Sequence, residues 1–333
     1  MLGVGIVLLM AGSICSADQE GKTYAEGKIA VIDPALEKIL DPSATIEQLG
    51  EGFEWAEGPA WNKKEGFLVF SDIPRNSVMQ YRPGKGVSLY FNPSGYSGGG
   101  AYSDEPGSNG LIWNPRGELL LMQHGNRQVA KRADGDQFLT VADRFGGKKF
   151  NSPNDGVLKS NGDLYFTDPP YGLPKQADDP TRELDFCGVY RVTPGGTVTL
   201  LTKEMTRPNG IAFSPDEKFL YVAQSDPQLA IWKKFDVLAD GTIAHGKVLF
   251  DATASVGKKK GLPDGMKVDQ SGHLWATGPG GVLILTPEGK HLGTIETGQA
   301  TANCAFGGDG SVLYITADMY LLRVKTKTKG IGF

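Results

Sequence analysis

Six segments of this chain share one grammar, and that recurrence limits its folds more than any other feature. Each opens on a small polar turn, passes through an apolar strand to a glycine-containing turn, and continues through a second and third strand. The openings read Glu57-Gly58-Pro59-Ala60-Trp61, Ser108-Asn109-Gly110-Leu111-Ile112-Trp113, Asn154-Asp155-Gly156-Val157-Leu158, Pro208-Asn209-Gly210-Ile211-Ala212-Phe213, Pro263-Asp264-Gly265-Met266-Lys267-Val268 and Ala302-Asn303-Cys304-Ala305-Phe306. Their glycines fall at 58, 110, 156, 210 and 265, separated by 52, 46, 54 and 55 residues, and Asn303 follows Asp264 by 39. Self-similarity at this period with strand alternation predicts an all-β chain folded as a six-bladed β-propeller. Two packed sandwich domains would account for the alternation but not for the period.

Composition supports many tight turns, because the 46 glycines and 20 prolines are scattered along the chain. A formal net charge of −4 leaves no basic face, which excludes nucleic acid as a partner. Residues 1–17 read as a secretory leader: an apolar run from Leu2 to Ala11, then Cys15-Ser16-Ala17 before Asp18. No positive charge precedes that run, since Lys22 is the first base. The expectation is a periplasmic or secreted protein with no stable membrane anchor, the run being too short for a confident span. Residues 18–49 read as an N-terminal arm and residues 50–333 as the propeller. Without the leader two cysteines remain, Cys187 and Cys304, either as one disulfide or as two core thiols. No sequence feature sets an oligomeric state.

A propeller brings the starts of its inner strands to one mouth of the central channel. The residues expected there are Glu57, Asn109, Asn154, Asn209, Asp264 and Asn303. Carboxylate and amide oxygens without His or Cys suit a hard cation, and calcium tolerates such irregular shells better than magnesium. Asn-Gly and Asp-Gly are also good turn formers in their own right, which suffices for Asn109 and Asn303. It does not suffice for Glu57, so one divalent cation is expected at Glu57, Asn209 and Asp264. Calcium is favoured, with Mg2+, Mn2+ and Zn2+ as alternatives.

The motifs EGPAW, NSPNDG, TDPPYG, RPNGIAFSPD and LPDGMKVD together resemble the gluconolactonase branch of the senescence-marker-protein/gluconolactonase/luciferin-regenerating-enzyme family. The resemblance runs from about Leu49 to the C-terminus. It implies a six-bladed propeller with one divalent cation in its channel, held by Glu57, Asn209 and Asp264. It further implies that Asn154 reaches the metal or the substrate beside them. Animal members carry an arginine two residues before that asparagine, in contact with the sugar acid. Here the position is Ser152, as in bacterial lactonase-like relatives, so Ser152 is a candidate substrate contact.

These residues suit the hydrolysis of a small-molecule lactone, with Asp264 accepting the proton of an attacking water. No G-x-S-x-G elbow offers a serine nucleophile. In MQHGNR, His124 reads either as a group that binds substrate or shuttles a proton at the mouth, with Arg127 holding a substrate carboxylate nearby, or as a hydrogen-bonded structural histidine. Asn109 is kept as a further substrate contact. The stretch GLPKQADDPTREL after Asp168-Pro169-Pro170-Tyr171 reads either as a loop arching over the channel or as a solvated insertion. The expected function is a gluconolactonase-like opening of a sugar lactone to its aldonic acid. The alternatives are a promiscuous lactonase or phosphotriesterase, and a non-catalytic propeller that binds calcium or a sugar.

Overall fold

Alternating apolar residues between glycine-rich turns form six antiparallel sheets of four or five strands, beside one two-strand ribbon at Arg144–Phe145 and Lys148–Lys149, in a computed structural model that describes residues 21–133 and 137–333. Each of the six sheets is one propeller blade. The leader read at residues 1–17 lies outside the described residues. The inner strands are Ala56–Asn62, Ser108–Trp113, Gly156–Leu158, Pro208–Phe213, Met266–Val268 and Thr301–Gly307. Each touches the next in that order, and the last touches the first, so the ring is closed.

The polar openings are not hairpin turns, as the sequence suggests, but lie at the axial ends of these inner strands. Pairing with the second strand skips register between Glu57 and Ala60, Ser108 and Leu111, Pro208 and Ile211, and Thr301 and Asn303. A β-bulge of this kind bends the strand and re-aims its side chains, here toward the axis.

Core side chains fill six wedges, one between each pair of neighbouring blades. Phe166 and Trp275 are fully buried there, as their strand alternation predicts. Every blade is therefore stabilised by its neighbours rather than by a core of its own.

The segment read as an N-terminal arm is part of the propeller. Its strand Ile46–Glu51 pairs antiparallel with the C-terminal strand Tyr320–Lys325 and becomes the fourth strand of the sixth blade. Its strand Lys28–Val31 adds a fifth strand to the fifth blade, along His291–Glu296. An ion pair between Arg323 and Glu47 reinforces the closure. Removing residues 1–51 would leave the C-terminal strand unpaired on one side and the ring unlatched. The truncated chain is expected to lose its cooperative thermal transition by circular dichroism; a retained sharp melt would show that closure is dispensable.

Both remaining cysteines are free and buried. Cys304 donates to the Trp275 carbonyl, and burial pushes its thiol up to about 12. Of the two sequence readings, core thiols hold.

Candidate functional site

At the axis the crowding of inner strands decides which side chains meet. Glu57, Asp155 and Asn303 are almost fully buried. Each turns its side-chain oxygen back onto the backbone N–H of the following residue: Gly58, Gly156 at 2.8 Å and Cys304 at 2.9 Å. The shared geometry marks equivalent positions, and it corrects the sequence register. In the third blade the axial residue preceding the glycine is Asp155, not Asn154. The signal was present in the chain, since every other axial residue chosen before a glycine stands immediately before it.

The cluster is bridged across the channel. The Asn303 Nδ2 donates to Glu57 Oε2 at 3.1 Å and to Asp155 Oδ2 at 3.5 Å. Behind it, Lys267 Nζ donates to Asn303 Oδ1 at 3.4 Å and to the Met266 carbonyl at 3.0 Å. Lys267 also lines a cavity of about 1420 Å3 at the opposite end of the inner strands. One fixed positive charge thus sits beneath three carboxylates, those of Glu57, Asp155 and Asp264.

Those carboxylates disturb one another. Burial, with the Asp155 charge adding to it, pushes Glu57 up to about 7, while the Gly58 N–H, Asn303 and Lys267 oppose the rise. Burial also raises Asp155 and is offset first by Lys267. Asp264 is raised well above the usual carboxylate range by burial and by the charges of Glu57, Asp155 and Glu105. Glu57 and Asp264, about two hundred residues apart in sequence, are thus close enough for the charge of one to raise the other. Asp264 keeps part of its surface open to the channel, whereas Glu57 does not.

Asn209 is held beside this pair. Its Nδ2 donates to Ser225 Oγ at 2.9 Å, and that hydroxyl donates to the carbonyl of Pro263, next to Asp264. The amide oxygen of Asn209 is left as its free end. Asn154 and Asp264 each carry a buried Oδ1 with no hydrogen-bond partner among the described residues, and Asn109 does the same.

Orphaned buried oxygens beside repelling carboxylates are the environment that a bound dication would satisfy. The donors are hard oxygens throughout, which fits calcium-type chemistry. Among the described residues no three His, Cys, Asp or Glu side chains gather as a ready metal cage. Any cation here therefore relies on amide oxygens as well.

Other sequence candidates occupy the wall. The Ser152 hydroxyl donates to the Pro169 carbonyl at 2.6 Å and accepts from the Gly172 N–H at 3.0 Å, while its own N–H binds Asp168 at 2.8 Å. Its hydroxyl is thus used in both directions to tie two loops together, which argues against the substrate contact expected of it. Arg127 donates to the Phe150 carbonyl at 2.7 Å and the Thr181 carbonyl at 3.0 Å, pinning the loop after Tyr171 instead of meeting a carboxylate ligand. His124 is fully buried, with Nδ1 3.4 Å from Glu105 Oε2. Tyr171 is half-buried, and burial together with the Asp264 charge raises its phenol, which stays protonated.

Fold and site together define a propeller with an acidic, amide-rich channel cluster. Residues 55–318 match the SMP-30/Gluconolactonase/LRE-like region, and the chain belongs to that family. It is 38% identical to a gluconolactonase of Zymomonas mobilis, over 96% of this chain and 92% of that protein. Among solved structures, a gluconolactonase of Xanthomonas campestris superposes with a TM-score of 0.81 at 29% identity, covering 93% of this chain and 98% of that one. A calcium-binding regucalcin of Agrobacterium tumefaciens shares the fold, with a TM-score of 0.66 at 19% identity over 86% of this chain and 96% of that one.

Proposed function

We propose that this protein is a metal-dependent lactone hydrolase that opens a sugar lactone to its aldonic acid. The family and the gluconolactonase relatives support lactone hydrolysis. The observation that supports the metal and the chemistry is the charge repulsion between Glu57 and Asp264, with Asp264 partly exposed and its Oδ1 without a hydrogen-bond partner among the described residues. Glu57, Asn154, Asn209 and Asp264 would hold the cation, calcium by preference. When bound, the ion supplies Lewis-acid polarisation of the lactone carbonyl.

The protein's own residues do the rest. Asp264 accepts a proton from water as the water oxygen bonds to the carbonyl carbon. The bond from that carbon to the ring oxygen then breaks, and Asp264 returns the proton to the departing ring oxygen. Water is consumed and a hydroxy acid is released, so the base is restored each cycle. Tyr171, protonated beside Asp264, offers an O–H to substrate oxygen at the mouth.

A pH-stat assay on several aldonolactones tests this reading. Chelation is expected to abolish acid release, and one of Ca2+, Mg2+, Mn2+ or Zn2+ to restore it. Undiminished turnover in excess chelator would exclude the metal, and no acid release with any ion would exclude the hydrolase.

A further inference from the structure

Glu105 is absent from every repeated motif, yet it lies at the same mouth as Asp264. It belongs to the connection from residue 92 to residue 107, between the outer strand of the first blade and the inner strand of the second. That connection is anchored rather than loose. The Asn76 side-chain oxygen accepts the backbone N–H groups of Ser94, Gly95 and Tyr96 at 3.1, 2.8 and 3.1 Å. Gln123 donates to the Ser94 carbonyl at 2.8 Å, and the Gly125 N–H to the Pro106 carbonyl at 3.2 Å. Tyr96 and Tyr102 stack on each other within it, ring centroids 4.8 Å apart.

Glu105 therefore has a fixed address, and its surroundings are unequal. On one side is His124, fully buried, its Nδ1 3.4 Å from Glu105 Oε2 and neither ring nitrogen hydrogen-bonded among the described residues. Gly172 packs against it so closely that a Cβ there would stand 2.4 Å from the His124 Cβ, so only glycine fits beside this histidine. On the other side the Glu105 side chain keeps 34% of its surface exposed. It stands three residues before the inner strand Ser108–Trp113, at the end where Asn109 joins the axial residues, and His124 beside it packs against Gly172, the neighbour of Tyr171, so its exposed part lies at the channel mouth.

A carboxylate anchored from behind and open in front is an acceptor for hydroxyl groups, and one carboxylate can accept two. We propose that Glu105 is a specificity-determining residue that binds ring hydroxyls of a neutral, polyhydroxylated lactone, and that His124 is the positioning residue that orients it. The inference rests on the lactonase reading and names the substrate class of the same site. An alkyl lactone without hydroxyls gains nothing from Glu105.

The test compares Glu105→Ala, Glu105→Gln and His124→Asn with the wild type on glucono-1,5-lactone and on δ-valerolactone. A hydrogen bond to a charged group is worth enough for a loss of about 10–100-fold. Glu105→Ala is expected to raise KM for the hydroxylated lactone by that factor over and above any change with δ-valerolactone, which registers only the altered charge near Asp264. Glu105→Gln, which keeps one acceptor oxygen, falls between, and His124→Asn shows the same split more weakly. Binding of 1,5-anhydroglucitol, a cyclic polyol with no carbonyl to hydrolyse, is measured by calorimetry on the same variants. Loss of that binding in Glu105→Ala supports the hydroxyl site even if no lactone is turned over by the wild type. Equal losses on both lactones, no loss on either, or polyol binding indifferent to Glu105→Ala would each overturn the proposal.

Discussion

Asp264→Asn is expected to lower kcat by about 10²–10⁴-fold, the usual contribution of a positioned general base. The fold should survive, because the amide occupies the same volume at the axial end of an inner strand. A ligand-only role gives a different result. Saturating calcium would then recover the lost rate, whereas loss of the base leaves it low at any calcium concentration. Stability provides a readout independent of turnover. In the metal-free protein Glu57 is raised from 4.5 to about 7, first by burial and then by its charged neighbour. A carboxyl raised on folding contributes stability that is complete below its unfolded value and is lost as pH rises through its folded value. Chelated wild type is therefore expected to lose stability between about pH 4.5 and pH 7. Asp264 is raised in the same way, by burial and then by the Glu57 charge, so removing its carboxylate removes a second such loss and chelated Asp264→Asn should melt above chelated wild type at pH 8. Wild-type turnover in Asp264→Asn would sink its role as base.

The blades were legible because strand alternation and glycine spacing are local signals repeated six times. That the openings of the inner strands share one axis was legible for a related reason: a closed ring forces equivalent strand ends together. Asp155 is masked in the sequence by Asn154 beside it, which offers the same turn-forming chemistry one residue earlier. The strand Ile46–Glu51 gave no comparable signal, since its pairing with Tyr320–Lys325 spans nearly the whole chain. Ser152 looked available because a sequence does not reveal that a hydroxyl is already engaged by Pro169 and Gly172. Glu105 sits on an irregular connection, where no periodicity marks a residue. Lys267 stands on an inner strand with nothing in the sequence to mark it, and its charge gains meaning only beside Asn303 and the carboxylates.

The glycines of the openings were read as turn residues, but packing at the axis demands them more strongly. A Cβ on Gly58 would stand 2.0 Å from the Asn109 carbonyl oxygen, and its φ of +53° is itself unfavourable for a side chain. On Gly210 a Cβ would stand 2.1 Å from the Asp264 carbonyl oxygen, with no positive φ involved. Both obstacles are backbone of the next blade, which cannot rotate away as a side chain can. Gly66 separates the two effects, since its φ is +70° and nothing lies within 4 Å of a Cβ placed there. Gly66→Ala is expected to cost about 1–2 kcal/mol, the ordinary penalty of the left-handed region. Gly210→Ala should cost about 1–3 kcal/mol or more from overpacking alone. Gly58→Ala combines both penalties, roughly 2–5 kcal/mol, a large share of a typical domain's stability. Denaturant midpoints are therefore expected to fall in the order Gly66, Gly210, Gly58. Equal effects at all three would mean that backbone conformation, not the approach of neighbouring inner strands, makes glycine necessary. The same approach brings Asn109 beside Glu57 and Asp264 beside Asn209, so Gly58→Ala and Gly210→Ala should also weaken cation binding. Gly66→Ala, far from the axis, should leave it unchanged.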